Sequence, residues 1–115
     1  MLGGNPCFIY GTGEQQRDFV YVEDVAAANV LAMETASGKA INIGTGIGAS
    51  VNQVFTGLAA AIGYYGAPVH RDRRPGEVYS IHLDNSLAEQ ELGWQPTVTL
   101  PQGFEETAAY FRQSP

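Results

Sequence analysis

The residues of this chain best equipped for chemistry are its arginines. Arg17 opens the run Arg17-Asp18-Phe19-Val20-Tyr21-Val22-Glu23-Asp24-Val25-Ala26, and Arg71, Arg73 and Arg74 cluster further along. A guanidinium presents a rigid fork of N–H donors that meets phosphate oxygens in pairs. Two arginines from separate loops can therefore clamp a diphosphate. The turn sequence Arg74-Pro75-Gly76-Glu77 adds a carboxylate placed to accept hydrogen bonds from sugar hydroxyls. Surface ion pairing with Asp18, Asp72 or Glu77 is the competing reading of the same arginines.

Composition narrows the ligand. The 115 residues carry 12 Asp and Glu against 6 Lys and Arg, a net charge of −6. That balance argues against nucleic-acid binding, which needs excess cations to displace counterions. Half of the six cations lie in the Arg71–Arg74 cluster, a pattern suited to a small anion rather than a polyanion. Cys7 is the sole cysteine, so neither an internal disulfide nor a thiolate metal cluster can form. His70 and His82 lack metal-ligand spacing, and no tyrosine has a lysine four residues on, Lys39 being the only lysine. No catalytic or metal-binding residue is assigned. Gly44-Thr45-Gly46-Ile47-Gly48 departs from the G-x-G-x-x-G spacing of a dinucleotide loop and reads as a tight structural turn, so no cofactor-binding residue is assigned either. No apolar run approaches the roughly 20 residues that span a bilayer, and Met1–Pro6 lacks the features of a signal peptide. A cytoplasmic protein with no membrane contact is expected.

The elements that must position these residues follow from local pattern. Strands are expected over Pro6–Tyr10, Phe19–Tyr21, Ala40–Ile43 after a turn at Ser37-Gly38, and Pro68–Arg71. From Val22 the period becomes helical, with Val22, Val25, Ala26, Val30 and Met33 on one face and Glu23, Asp24 and Glu34 outside it. Ser50 and Gln53 form a capping box for a helix whose stripe is Val51, Val54, Phe55, Leu58 and Ile62, stopped by Gly63. Asp84 caps a short helix ending at Leu92-Gly93. Thr99 with Gln102 caps a last helix whose buried face is Leu100, Phe104, Thr107, Ala108 and Phe111. Arg71 and Arg73 are expected on one strand face. The fold class is α/β, one domain over residues 1–115 with a small, parallel sheet and about four helices.

Taken in order, Gly11-Thr12-Gly13, the Arg17–Ala26 run, Asn42-Ile43-Gly44-Thr45-Gly46 with Ser50, Arg74-Pro75-Gly76-Glu77 and Leu92-Gly93-Trp94-Gln95-Pro96 resemble the C-terminal part of the NAD-dependent nucleotide-sugar epimerase and dehydratase family. These are extended short-chain dehydrogenases that include UDP-glucose 4-epimerase. The resemblance implies a substrate-binding lobe that holds the nucleoside diphosphate of a UDP-type sugar. It places Arg17 and Arg74 on the phosphates and Glu77 on the ribose. Phe8, through its backbone, and Tyr10, through its ring, line the base. The family's NAD loop and Tyr-x-x-x-Lys pair are missing from this chain, as is the whole N-terminal dinucleotide-binding domain. The chain alone is therefore expected to bind no cofactor and to be inactive, to homo-oligomerise, and to need a separate Rossmann domain as partner. A free-standing, non-enzymatic self-association or protein-interaction module derived from that lobe is the alternative.

Overall fold

A computed structural model describes residues 1–35 and 38–113 of the chain. Its elements run β1 (Phe8–Tyr10), β2 (Gln16–Asp18), α1 (Val22–Thr35), β3 (Gly48–Ser50), α2 (Val51–Ile62), β4 (Val69–Arg71), α3 (Ser86–Leu92) and α4 (Leu100–Gln113). The α/β class and the four helices agree with the expectation from sequence. β1 and β4 pair in parallel, Phe8 with Val69 and Tyr10 with Arg71. The remaining pair is antiparallel, β2 against β3, and one parallel bridge joins Gln16 to Ser80.

Two expected strands are displaced. Gln16–Asp18 pairs instead of Phe19–Tyr21, because the available partner, Gly48–Ser50, lies beside the polar residues. Val20 leaves the ribbon to pack on the core. Ala40–Ile43 forms no strand. Ile41 and Ile43 pack against the core, but no strand lies beside their backbone among the described residues, and a strand without a neighbour has no ladder. Of the turn before it, Ser37 is outside the described residues, while Gly38 takes a left-handed φ of 69°.

α1 is turned the other way from its apolar period. Ala28 is buried, with Leu31 and Ala32 partly so, whereas Val22, Val30 and Met33 are 70%, 52% and 81% exposed. Asp24, expected outside, is buried at 4% exposure. Its carboxylate accepts from the Thr97 amide (3.1 Å) and hydroxyl (2.7 Å) and from the Val98 amide (3.0 Å). Trp94 Nε1 donates to the Asp24 carbonyl at 2.8 Å. One residue thus ties α1 to the segment that leads into α4. The core cluster beside it is Ala28, Ala88, Leu92 and Trp94.

The capping predictions hold where they are local. Ser50 Oγ accepts from Gln53 N while Gln53 Oε1 accepts from Ser50 N, and Gly63 closes α2 at φ 75°. Thr99 N donates to Gln102 Oε1, and Gln102 N donates to Thr99 Oγ1. Asp84 acts one step earlier than expected, accepting from the Ser86 amide (2.9 Å) just before α3, with Asn85 in the capping position. The stripe of α2 is half-buried against α4, where Phe104 packs on Gly57 so closely that no Cβ fits there. Phe111, expected inside, is 58% exposed.

Candidate functional site

The chain around Arg17 is fixed from three directions. The loop after β1 turns through Gly11 and Gly13, both left-handed at φ 75° and 79°, where a side chain would be strained. Gln15, buried at 7% exposure, donates from Nε2 to the Tyr10 carbonyl at 2.7 Å and so locks this loop under β1. The Val51 amide donates to the Gln15 carbonyl, and the Asn52 amide to that of Gly13. Beyond the loop, Gln16 N donates to Tyr79 O and Ile81 N to Gln16 O, which draws the segment after Glu77 alongside β2.

That strapping brings Arg17 and Glu77 together, sixty residues apart in sequence, with Nη2 at 3.3 Å from Oε1. Arg17 Nη1 also donates to the Gln16 carbonyl at 2.7 Å. Arg73 Nη2 donates to the Glu77 carbonyl at 3.0 Å and holds the turn shut, with Gly76 left-handed at φ 75°. The guanidinium of Arg74 lies 4.1 Å from the centre of the Tyr10 ring, and that of Arg71 lies 3.5 Å from the centre of Phe8. Tyr10 feels Arg74 first and Arg71 second, and both hold its phenol below the ordinary tyrosine value. No hydrogen bond, ion pair or stacking contact joins the Arg17–Glu77 pair to the Arg74–Tyr10 pair.

Arg71 and Arg73 do not share a strand face, because β4 ends at Arg71 and Arg73 turns toward Gly11 and Glu77. Among the described residues, Arg71, Arg73 and Arg74 have no carboxylate partner. Phe8 offers its backbone as well. In the parallel register Val69 N donates to Cys7 O and Gly11 N to Arg71 O, so the amide and carbonyl of Phe8 face the open edge of β1.

Asp18 has a structural use. Burial pushes its carboxyl up, but the Thr45 hydroxyl and the amides of Thr45, Leu83 and Gly46 outweigh this and hold it below the ordinary carboxylate value. The same contacts decide what the Gly44–Gly48 stretch is for. Its amides at Thr45 and Gly46 are spent on Asp18, and a Cβ at Gly44 would collide with that carboxylate, so the loop does not fit a dinucleotide phosphate. Sequence reasoning missed Gln15, whose side chain bonds a nearby backbone carbonyl, and Asp18 and Asp24, whose partners lie in distant segments, as positioning residues. For Asp18 and Asp24 the only available signal was a carboxylate beside an apolar run.

The profile of a family described as GDP-mannose 4,6 dehydratase matches residues 1–107. The chain belongs to the nucleotide-sugar epimerase and dehydratase family. Within it, this chain is similar to UDP-glucose 4-epimerase of Mycolicibacterium smegmatis, 38% identical over 97% of this chain and 36% of the relative. It also resembles the crystal structure of UDP-glucose 4-epimerase from Thermotoga maritima with UDP-glucose, at 46% identity and a TM-score of 0.95, covering 99% of this chain and 37% of that one. UDP-N-acetylglucosamine 4-epimerase from Methanobrevibacter ruminantium, in complex with UDP-N-acetylmuramic acid, aligns with a TM-score of 0.92 at 29% identity, over 99% of this chain and 37% of its own. The chain thus spans a little over a third of the length of these epimerases and matches their C-terminal part. Among the described residues, no helix is long and apolar enough to cross a membrane.

Proposed function

We propose that this chain is the substrate-binding lobe of a nucleotide-sugar epimerase or dehydratase and holds the nucleoside diphosphate of a UDP-type sugar. The observation that carries the reading is the uncompensated cation cluster. In a chain of net charge −6, Arg71, Arg73 and Arg74 have no carboxylate partner among the described residues, and Arg73 reaches the Glu77 carbonyl of the Arg17–Glu77 pair. Arg17 and Arg74 are the phosphate contacts, Glu77 the ribose contact, and Phe8 and Tyr10 the base contacts. Binding of UDP-sugars by the similar epimerases supports this assignment.

Turnover requires more than this chain supplies. Related UDP-glucuronic acid 4-epimerase from Bacillus cereus was crystallised with both a UDP-sugar and NAD. NAD supplies hydride chemistry, and the glycine-rich loop present here does not fit it. The cofactor and the catalytic pair belong to a Rossmann domain that completes the enzyme. The exposed row Val22, Val30 and Met33 on α1, with the unpaired segment Ala40–Ile43 close to the same helix's core contacts, is the seat we assign to it. Alone, the chain binds but does not turn over, and the same apolar row drives it to self-associate.

Titration calorimetry with UDP-glucose and UDP tests the reading. Binding that Arg74→Ala removes supports it, and an absence of heat at millimolar ligand overturns it. Turnover of a UDP-sugar with NAD by the pure chain would contradict the claim of inactivity.

A further inference from the structure

We infer that Arg71, stacked on Phe8, is the nucleobase platform of this site, a planar contact separate from the phosphate-binding arginines. The inference rests on the nucleotide-sugar reading above and adds a residue to it. In the β1–β4 register, Phe8, Tyr10, Val69 and Arg71 face the same side of the two-stranded ribbon, while Ile9 points the other way and is buried at 3% exposure. On that face the groups follow one another in a row. Arg71 covers Phe8, Tyr10 stands two residues along and feels both Arg71 and Arg74, and Arg74 covers Tyr10.

At 3.5 Å from the ring centre, the Arg71 guanidinium packs on Phe8, and it has no carboxylate partner among the described residues. Phe8 is 44% exposed and Arg71 is exposed, so the pair fills no core space. A guanidinium over a ring leaves its other face for a second flat group, and bases stack on arginine planes as they do on aromatic rings. The neighbouring open edge of β1 presents the Phe8 amide and carbonyl, a donor and an acceptor suited to the edge of a base. Arg73 lacks this geometry, because its guanidinium is committed to the Glu77 carbonyl. The two cationic stacks therefore divide the ligand, with the base on Arg71 and the diphosphate toward Arg74.

Titration of the full chain and its variants with UDP and with inorganic pyrophosphate separates the two jobs. Arg71→Ala should weaken UDP about tenfold while leaving pyrophosphate within about twofold, whereas Arg74→Ala should weaken both. Arg71→Lys keeps the charge and loses the plane, so it should behave like Arg71→Ala toward UDP. Circular dichroism of each variant, expected to match the parent, confirms that folding is intact. If UDP binds and Arg71→Ala leaves its affinity unchanged, or if Arg71→Lys restores full affinity, the platform is wrong while the nucleotide reading stands. If the parent chain binds neither UDP nor pyrophosphate, the nucleotide reading itself falls and takes the platform with it.

Discussion

The run from Arg17 to Asp24 supplies two regions that treat charge in opposite ways. Around Asp24 every capacity is used, with three donors on the carboxylate, an indole on the carbonyl and little solvent. Around Arg17 the charge is only partly answered, by one half-exposed carboxylate and one carbonyl, and Arg71, Arg73 and Arg74 have no carboxylate partner among the described residues. A saturated carboxylate is an anchor, because any new ligand would have to displace good hydrogen bonds. Unsaturated guanidiniums suit a binding site, because a ligand adds bonds that the protein does not make by itself. Counting spent and unspent donors separates structure from function within a single segment.

The largest expected effect breaks the anchor. Asp24→Ala removes the buried carboxylate that answers the Thr97 and Val98 amides and should cost about 3 kcal/mol of stability, read from urea denaturation. Arg74→Ala should do the reverse, weakening UDP binding at least tenfold by calorimetry while shifting stability by less than about 0.5 kcal/mol. If Arg74→Ala destabilised the fold as much as Asp24→Ala, the contrast would collapse.

Acid sharpens the same difference. Asp24, like Asp18, is pushed up by burial but held below the ordinary carboxylate value by its donors. The folded chain therefore binds fewer protons at these sites than the unfolded one. Their contribution is complete above the unfolded value near 4 and is lost as pH falls through the lower folded value. The urea midpoint should drop steeply below about pH 4, and part of that slope should vanish in Asp24→Asn.

A smaller effect lies on Tyr10. Its phenol is held below the usual value by Arg74 and then Arg71, so Arg74→Ala should move its titration upward in ultraviolet difference spectra. The smallest effect concerns α1. Met33→Lys should change stability by no more than about 0.5 kcal/mol, since Met33 is 81% exposed, yet it should reduce self-association in sedimentation.

What was legible in the sequence follows from range. The two capping boxes and the helix stop at Gly63 depend on residues a turn apart, and they are present as read. Strand positions depend on partners far along the chain. Phe19–Tyr21 looks more like a strand than Gln16–Asp18, but pairing with Gly48–Ser50 decided the matter. The face of α1 was misread for a related cause. Val22, Val30 and Met33 keep a helical period, yet Trp94 and Thr97, some seventy residues on, pull Asp24 and Ala28 inward. At the site, Arg17, Arg74 and Glu77 were nameable from residue type and Tyr10 through the family resemblance, but the pairing of Arg17 with Glu77 and of Arg74 with Tyr10 was not. The stacking of Arg71 on Phe8 was not, because it exists only once β1 and β4 are in register.

That register has a consequence for the life of the chain. Glu77 is synthesised sixty residues after Arg17, and the parallel pairing of β1 with β4 can form only after both intervening helices have emerged. The site is therefore completed only once that whole stretch of chain is in place. A nucleotide diphosphate bound there would favour the finished chain over every incomplete one, stabilising it in proportion to ligand concentration. Cells starved of that ligand would hold more of this protein in partly folded, protease-sensitive forms.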